Sequence, residues 1–200
     1  MNKKSITKRK LIIYGILGLI LIALFPYRGI RFASNPEVQE GDVIFHMSTS
    51  DQSPLIAIAT GSPLTHCGIV VMKSGQPYVL EASSTLKTTP LNEFIKRGKC
   101  GAYWVKRPKS GVIGSNIRYG HLLGRRYDLA FSFNNRNYYC SELVYDIYKY
   151  QLGTELCEPR PMKSYFTLGM KKVMRRRGMD PNGLVVAPSD IFFSDELRYI

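Results

Sequence analysis

Cys140 stands where a polar and aromatic segment, Asn134-Asn-Arg-Asn-Tyr-Tyr139, gives way to a run with helical spacing. Leu143, Val144, Ile147 and Tyr148 recur on one face of that run, and Gly153 follows it, so a helix is predicted over 140–152. A helix start presents unpaired N–H groups and a partial positive charge. A thiol held there ionises more readily, and the thiolate is the nucleophilic form. The same N–H groups suit the oxyanion of a tetrahedral intermediate. The plain alternative is a buried cysteine on an amphipathic helix.

A nucleophile needs a base, and the sequence has three histidines: His46, His66 and His121. His66 opens a β-rich run, Cys67-Gly-Ile-Val-Val-Met72. After Lys73-Ser-Gly-Gln-Pro77 comes a second run, Tyr78-Val-Leu-Glu81, so the pair reads as a hairpin. A two-residue turn at Ser74-Gly75 sets Lys73 against Gln76 and Gly68 against Glu81. His66 and Glu81 are then diagonal neighbours on one face, roughly 7–8 Å apart at the backbone. A four-residue loop keeps them together, and a three-residue loop separates them. A carboxylate beside a histidine fixes its tautomer and favours the imidazolium.

Other polar residues receive quieter readings. Tyr139 either lines a substrate pocket or packs in the core. Glu142 falls in the first helical turn, where an acid is favoured by the dipole. Asp42 is expected to make a turn. Alternation along the strand sends Cys67 to the face opposite His66, into the core.

The elements that must hold these residues begin with a strand at Val43-Ile-Phe45. A short helix follows over Ser53 to Thr60, stopped by Gly61. Further strands are expected at Gly101 to Lys106 and at Val185-Val-Ala-Pro188, and a helix at Ile117 to Leu123. Residues 164–178 read as a basic helix or loop. Strands and helices do not strictly alternate, which favours an α+β fold with an antiparallel sheet.

Apolar residues make up 44% of the 200-residue chain and charged ones 22%, which excludes a disordered polymer. The net charge of +13 is concentrated in the N-terminal segment. Seven Lys and Arg precede residue 32 with no acid, leaving 21 basic against 15 acidic residues beyond it. The overall basicity is therefore no argument for nucleic acid. No stacking aromatics accompany the cluster Lys171-Lys172 and Arg175-Arg-Arg177, which reads as a solvated face or a contact for anionic headgroups.

Five basic residues precede the apolar run Leu11 to Phe25. Residues 1–31 are read as an uncleaved signal-anchor or a cleaved signal peptide, and residues 32–200 as one domain. The positive-inside rule puts that domain on the extracytoplasmic side, anchored by residues 11–25 or released into the periplasm if the signal is cut. The four cysteines fit no zinc spacing. No metal or cofactor motif is present in the sequence.

Six segments carry a resemblance. They are Glu40-Gly-Asp-Val-Ile-Phe45, Thr65-His-Cys-Gly-Ile-Val-Val71, Pro77-Tyr-Val-Leu-Glu-Ala82, Thr89-Pro-Leu91, Arg126-Tyr-Asp128 and Tyr138-Tyr-Cys-Ser-Glu-Leu-Val144. In that order they resemble the circularly permuted NlpC-like cysteine peptidases of the YiiX/YaeF type. The resemblance implies a permuted papain-like fold, with a helix bearing the nucleophile packed on an antiparallel, barrel-like sheet bearing the histidine. It implies amide hydrolysis, in cell-wall-derived or related peptides, by Cys140 as nucleophile, His66 as base and Glu81 as orienter. Cys67 beside the histidine departs from the family pattern and leaves open a disulfide or a metal near the site. Expected partners are a peptide, a peptidoglycan fragment or a lipid-linked substrate. A lipid acyl hydrolase or acyltransferase using the same triad, and a non-catalytic anchored binding module, are the alternatives.

Overall fold

The computed structural model describes residues 31–32, 37–111, 117–133, 135–165 and 171–200. The segment 11–25, expected to be a signal or anchor, lies outside them. Among the described residues, no helix is long and apolar enough to cross a membrane. Arg31–Ile200 forms one compact unit.

An antiparallel sheet organises this unit. Its strands are β1 (Arg31–Phe32), β2 (Val43–His46), β3 (His66–Lys73), β4 (Gln76–Ala82), β5 (Leu86–Pro90) and β6 (Ala102–Pro108), in the spatial order β1-β6-β2-β3-β4-β5. A last strand, β9 (Leu197–Tyr199), also pairs with β6. A separate two-stranded ribbon joins β7 (Arg160–Pro161) to β8 (Leu184–Val185). The helices are α1 (Ser53–Thr60), α2 (Leu91–Lys96), α3 (Cys140–Asp146), α4 (Lys171–Arg177) and α5 (Pro188–Phe192). This is the α+β arrangement expected of a permuted papain-like chain.

The β3–β4 hairpin fixes the register on which the site depends. Ser74 and Gly75 have φ of 49° and 75°, as a two-residue turn of mirror-image type requires. Lys73 therefore faces Gln76, and Ile69 faces Leu80. A Cβ on Gly68 would lie 2.5 Å from Val79 Cγ1 and 2.7 Å from the Leu80 carbonyl oxygen, so only glycine fits there.

The period of two divides the side chains of the central strands between two faces. Ile44, Val70, Val79 and Val105 form one core with Leu91, Phe94 and Ile95 of α2. Cys67 belongs to the opposite alternation and reaches the start of α3, where its thiol meets that of Cys140. Along α3 and its continuation, the buried Leu143, Val144, Ile147 and Tyr148 form the apolar face anticipated from their spacing. The helix widens into a single π-turn over Ile147–Gln151 before Gly153 ends it at φ 67°.

Two expected elements are shorter than their sequence patterns suggest. Between Ile117 and Leu123 only Gly120–Leu122 turns, as one 3₁₀ turn flanked by Gly124 at φ 82°. The late strand stops at Val185 because Pro188 opens α5, whose Asp190 carboxylate accepts the Ala187 N–H at 2.7 Å. Asp42 does make its turn, accepting the Gln39 N–H at 2.8 Å. It also pairs with Arg107 at 2.8 Å.

Candidate active site

Glu81 lies in the middle of a closed network. It is wholly buried on β4, and its Oε2 lies 2.6 Å from His66 Nε2. Its other oxygen accepts the Thr89 hydroxyl at 2.5 Å and a guanidinium N–H from Arg97 at the end of α2. Burial alone would raise this carboxyl. The hydrogen bond and charge of His66, with Arg97 and Thr89, outweigh burial and hold it down at about 2. An ionised carboxylate thus faces the imidazole throughout the neutral range.

With Nε2 committed to Glu81, Nδ1 is the ring nitrogen left for Cys140, whose thiol is hydrogen-bonded to His66. Burial disfavours the imidazolium, but the Cys140 contact and then Glu81 overcome it and raise His66 to about 9. The Cys140 thiol moves the other way. A hydrogen bond from the Cys67 thiol pulls it well below the usual cysteine value. Burial opposes this, and His66 and the Cys67 N–H add to it. Cys67 is itself pushed well up by burial, so it stays protonated and donates. Both shifts favour a thiolate–imidazolium pair over two neutral groups. All four cysteines are free thiols.

His46 packs behind His66, with ring centroids 5.3 Å apart, and stacks on Phe94 at 4.3 Å. Burial, helped by the positive charges of His66 and Arg97, pushes His46 down to about 2. It is neutral, and His66 alone carries the imidazole charge.

The structure brings Cys140, His66 and Glu81 together and gives Tyr139 a different setting. Tyr139 is buried, its hydroxyl accepts the Val186 N–H at 3.2 Å, and its ring packs on Phe131 and Phe133. The tyrosine that touches Cys140 is Tyr127, whose hydroxyl hydrogen-bonds it. Burial keeps that phenol protonated, so it can donate. In the sequence Tyr127 showed only as the centre of the Arg126-Tyr-Asp128 segment; nothing in its spacing tied it to Cys140. Asp128 holds the neighbouring loop by accepting the N–H groups of Ala130 at 2.8 Å and Ser132 at 2.7 Å.

Two clefts meet at this group. One is apolar and has Cys140 on its wall with Leu55, Phe131, Met162, Met179 and Val186. The other is polar and open, with His66 and Tyr127 on its wall beside Arg97, Arg126, Ser83, Ser84 and Thr85. Ile56 of α1 borders both. An arrangement of this kind can attack a carbonyl from Cys140, hold its acyl side among apolar side chains and protonate a leaving group on the polar side.

Comparison with known proteins agrees with this geometry. An Escherichia coli (strain K12) protein described as the uncharacterized protein YiiX is 33% identical over 182 residues, covering 84% of this chain and 88% of its own length. The crystal structure of YiiX from Escherichia coli O157:H7, described there as a metalloprotein, superimposes with a TM-score of 0.74 at 30% identity. The match covers 82% of this chain and 97% of that one. Among the described residues here, no three His, Cys, Asp or Glu side chains converge as a metal ion would need. The oxygens of Glu81 are also already engaged by His66, Thr89 and Arg97. The site as built does not fit a metal. Residues 37–200 match the model of the permuted papain-like amidase enzymes, YaeF/YiiX, C92 family. With that match across most of its length, and a helix-borne cysteine meeting a sheet-borne histidine, the chain belongs to this family of cysteine peptidase and amidase-like hydrolases.

Proposed function

We propose that the protein hydrolyses an amide bond whose carbonyl side is apolar, on the extracytoplasmic side of a membrane, through Cys140, His66 and Glu81. The observation that carries this reading is the Cys140–His66–Glu81 relay opening onto an apolar cleft on the cysteine side and a polar cleft on the histidine side. The Cys140 thiolate attacks the carbonyl carbon, and the carbonyl oxygen takes up the negative charge. Tyr127 and the N–H groups at the start of α3 are the donors suited to that oxygen. His66 passes its proton to the departing nitrogen, the C–N bond breaks, and a thioester remains on Cys140. His66, now neutral, takes a proton from water, which attacks the thioester and frees the acid. Glu81 holds the ring in place through both halves, as the third member of such triads does.

The extracytoplasmic location rests on the five basic residues before the apolar run 11–25. Peptides, peptidoglycan fragments and lipid-linked amides all fall within the reading. A second reading, transfer or hydrolysis of a lipid acyl ester by the same residues, is favoured by the apolar lining beside Cys140. An acyl adduct on Cys140 found by mass spectrometry after incubation with phospholipid, and absent with N-acyl amides, would select the second reading.

The pH dependence of alkylation at Cys140, read by peptide mapping, tests the relay itself. The thiol is expected to react with a pKa well below the free-thiol value of about 8.5, and His66→Ala is expected to raise it. An unshifted value in both proteins would remove the basis for catalysis by this pair. Cys140→Ala should abolish turnover and keep the fold. Turnover above about a tenth of wild type would reject Cys140 as nucleophile.

A further inference from the structure

This inference rests on the amidase reading and concerns the half of the substrate that leaves. His66 gives its proton to the departing nitrogen, so the leaving amine occupies the cleft that His66 borders, not the apolar one. That cleft is lined by hydroxyls and by two guanidinium groups, Arg97 and Arg126. Arg97 already serves Glu81. Arg126 has no such duty: among the described residues it belongs to none of the ion pairs, which are His66–Glu81, Arg97–Glu81, Arg107–Asp42, Lys149–Glu155 and Arg160–Asp190.

The backbone that carries Arg126 is firmly held. Leu86 donates its N–H to the Arg125 carbonyl at 2.8 Å, Tyr127 donates to the Ser84 carbonyl at 3.2 Å, and Thr85 and Arg126 face each other as a bridge pair. Arg125 is turned elsewhere, over the ring of Tyr138. Arg126 therefore sits on a fixed ribbon next to Tyr127, which touches Cys140. One carboxylate, Asp51, shares the cleft wall with no ion pair to Arg126. A planar guanidinium beside hydroxyl-bearing residues, next in sequence to Tyr127 and on the same cleft wall as His66, matches a carboxylate with two oxygens to bind.

We propose that the leaving amine carries a carboxylate close to its nitrogen, so that the substrates are N-acyl amino acids, with Arg126 receiving the carboxylate. The overall change is R–CO–NH–CHR′–COO⁻ plus water to R–COO⁻ plus ⁺H₃N–CHR′–COO⁻. The C–N bond breaks, the new C–O bond comes from water, and the amine leaves with its added protons.

The test compares N-octanoylglycine with N-octanoylglycinamide, which differ only in that carboxylate. Wild type is expected to cleave the acid with a kcat/KM about tenfold higher, the scale of a charge-assisted contact at a partly exposed site. Arg126→Gln is expected to bring the ratio down to about one, through KM for the acid, while Arg125→Gln keeps the wild-type ratio. Equal kcat/KM for the two compounds in wild type would overturn the assignment, as would a ratio that Arg126→Gln leaves intact. Cleavage of neither compound by wild type would instead overturn the amidase reading beneath it.

Discussion

At the scale of single residues, the site is a contest between burial and pairing. Glu81 and His66 are both removed from water, which by itself would neutralise each. Each survives charged because the other is 2.6 Å away and because Arg97, Thr89 and Cys140 complete the set. The raised His66 sets the upper limit of the working range. Above about 9 the ring loses the proton the leaving group needs. The alkaline limb of kcat/KM is therefore expected near pH 9. Glu81→Gln, which withdraws the negative partner, should shift that limb to lower pH. A limb that stays in place would show that Glu81 does not support the His66 charge. Stability follows the same signs. The raised His66 contributes fully below its unfolded value of about 6.5 and its contribution fades as pH rises through about 9. The depressed Glu81 contributes above about 4.5 and its contribution is lost as pH falls toward about 2.

At the scale of elements, the hairpin sets the geometry. A one-residue slip between β3 and β4 would turn Glu81 away from His66, and the Ser74-Gly75 turn and the tight contact at Gly68 oppose it. Gly68→Ala would push a methyl into Val79 and the Leu80 carbonyl. It should cost about 1–3 kcal/mol, the usual range for overpacking, and lower catalytic turnover further by moving Glu81. Chemical denaturation together with kcat measures both effects. This register was legible in the sequence because Ser-Gly between two β-rich runs admits few turns. The Cys140 helix was legible from its apolar spacing and following glycine, and α1 from its glycine stop. The role of Tyr127 was not, because it lies on an irregular segment held by pairing with 84–86 and with Tyr138, which no periodicity in the sequence signals. Cys67 was legible in direction but not in consequence. Alternation sends it away from His66, and only the packing of α3 on that side makes it a donor to Cys140. The two clefts were equally out of reach, being assembled from segments far apart in the chain, Leu55 to Pro188 in one and Ser48 to Leu129 in the other.

At the scale of the whole molecule, the helix that begins at Cys140 buries an acid in its first turn. Glu142 accepts the Tyr139 N–H at 3.3 Å, yet burial pushes it up to about 9, so it is protonated at neutral pH. This modifies the simple dipole picture drawn from its place in the first turn. An acid that holds its proton when folded and releases it when unfolded makes the fold less stable as pH rises from about 4.5 to about 9. Glu142→Gln keeps the shape without that proton, so its melting temperature should exceed that of wild type at pH 8 and approach it near pH 5. Equal gains at both values would assign the effect to packing rather than ionisation.

The guanidinium of Arg97 has a consequence that reaches across the full turnover. In the mechanism proposed above, Cys140 and Glu81 start negative while His66 and Arg97 are positive. In the thioester intermediate Cys140 and His66 are both neutral, and Glu81 still faces Arg97. The four groups sum to zero in each state. Electroneutrality is thus conserved from one half-reaction to the next, and the protein never has to reorganise around a net charge in its interior. The centre exerts little long-range field on an arriving substrate, so any preference for a charged one is decided at the rim.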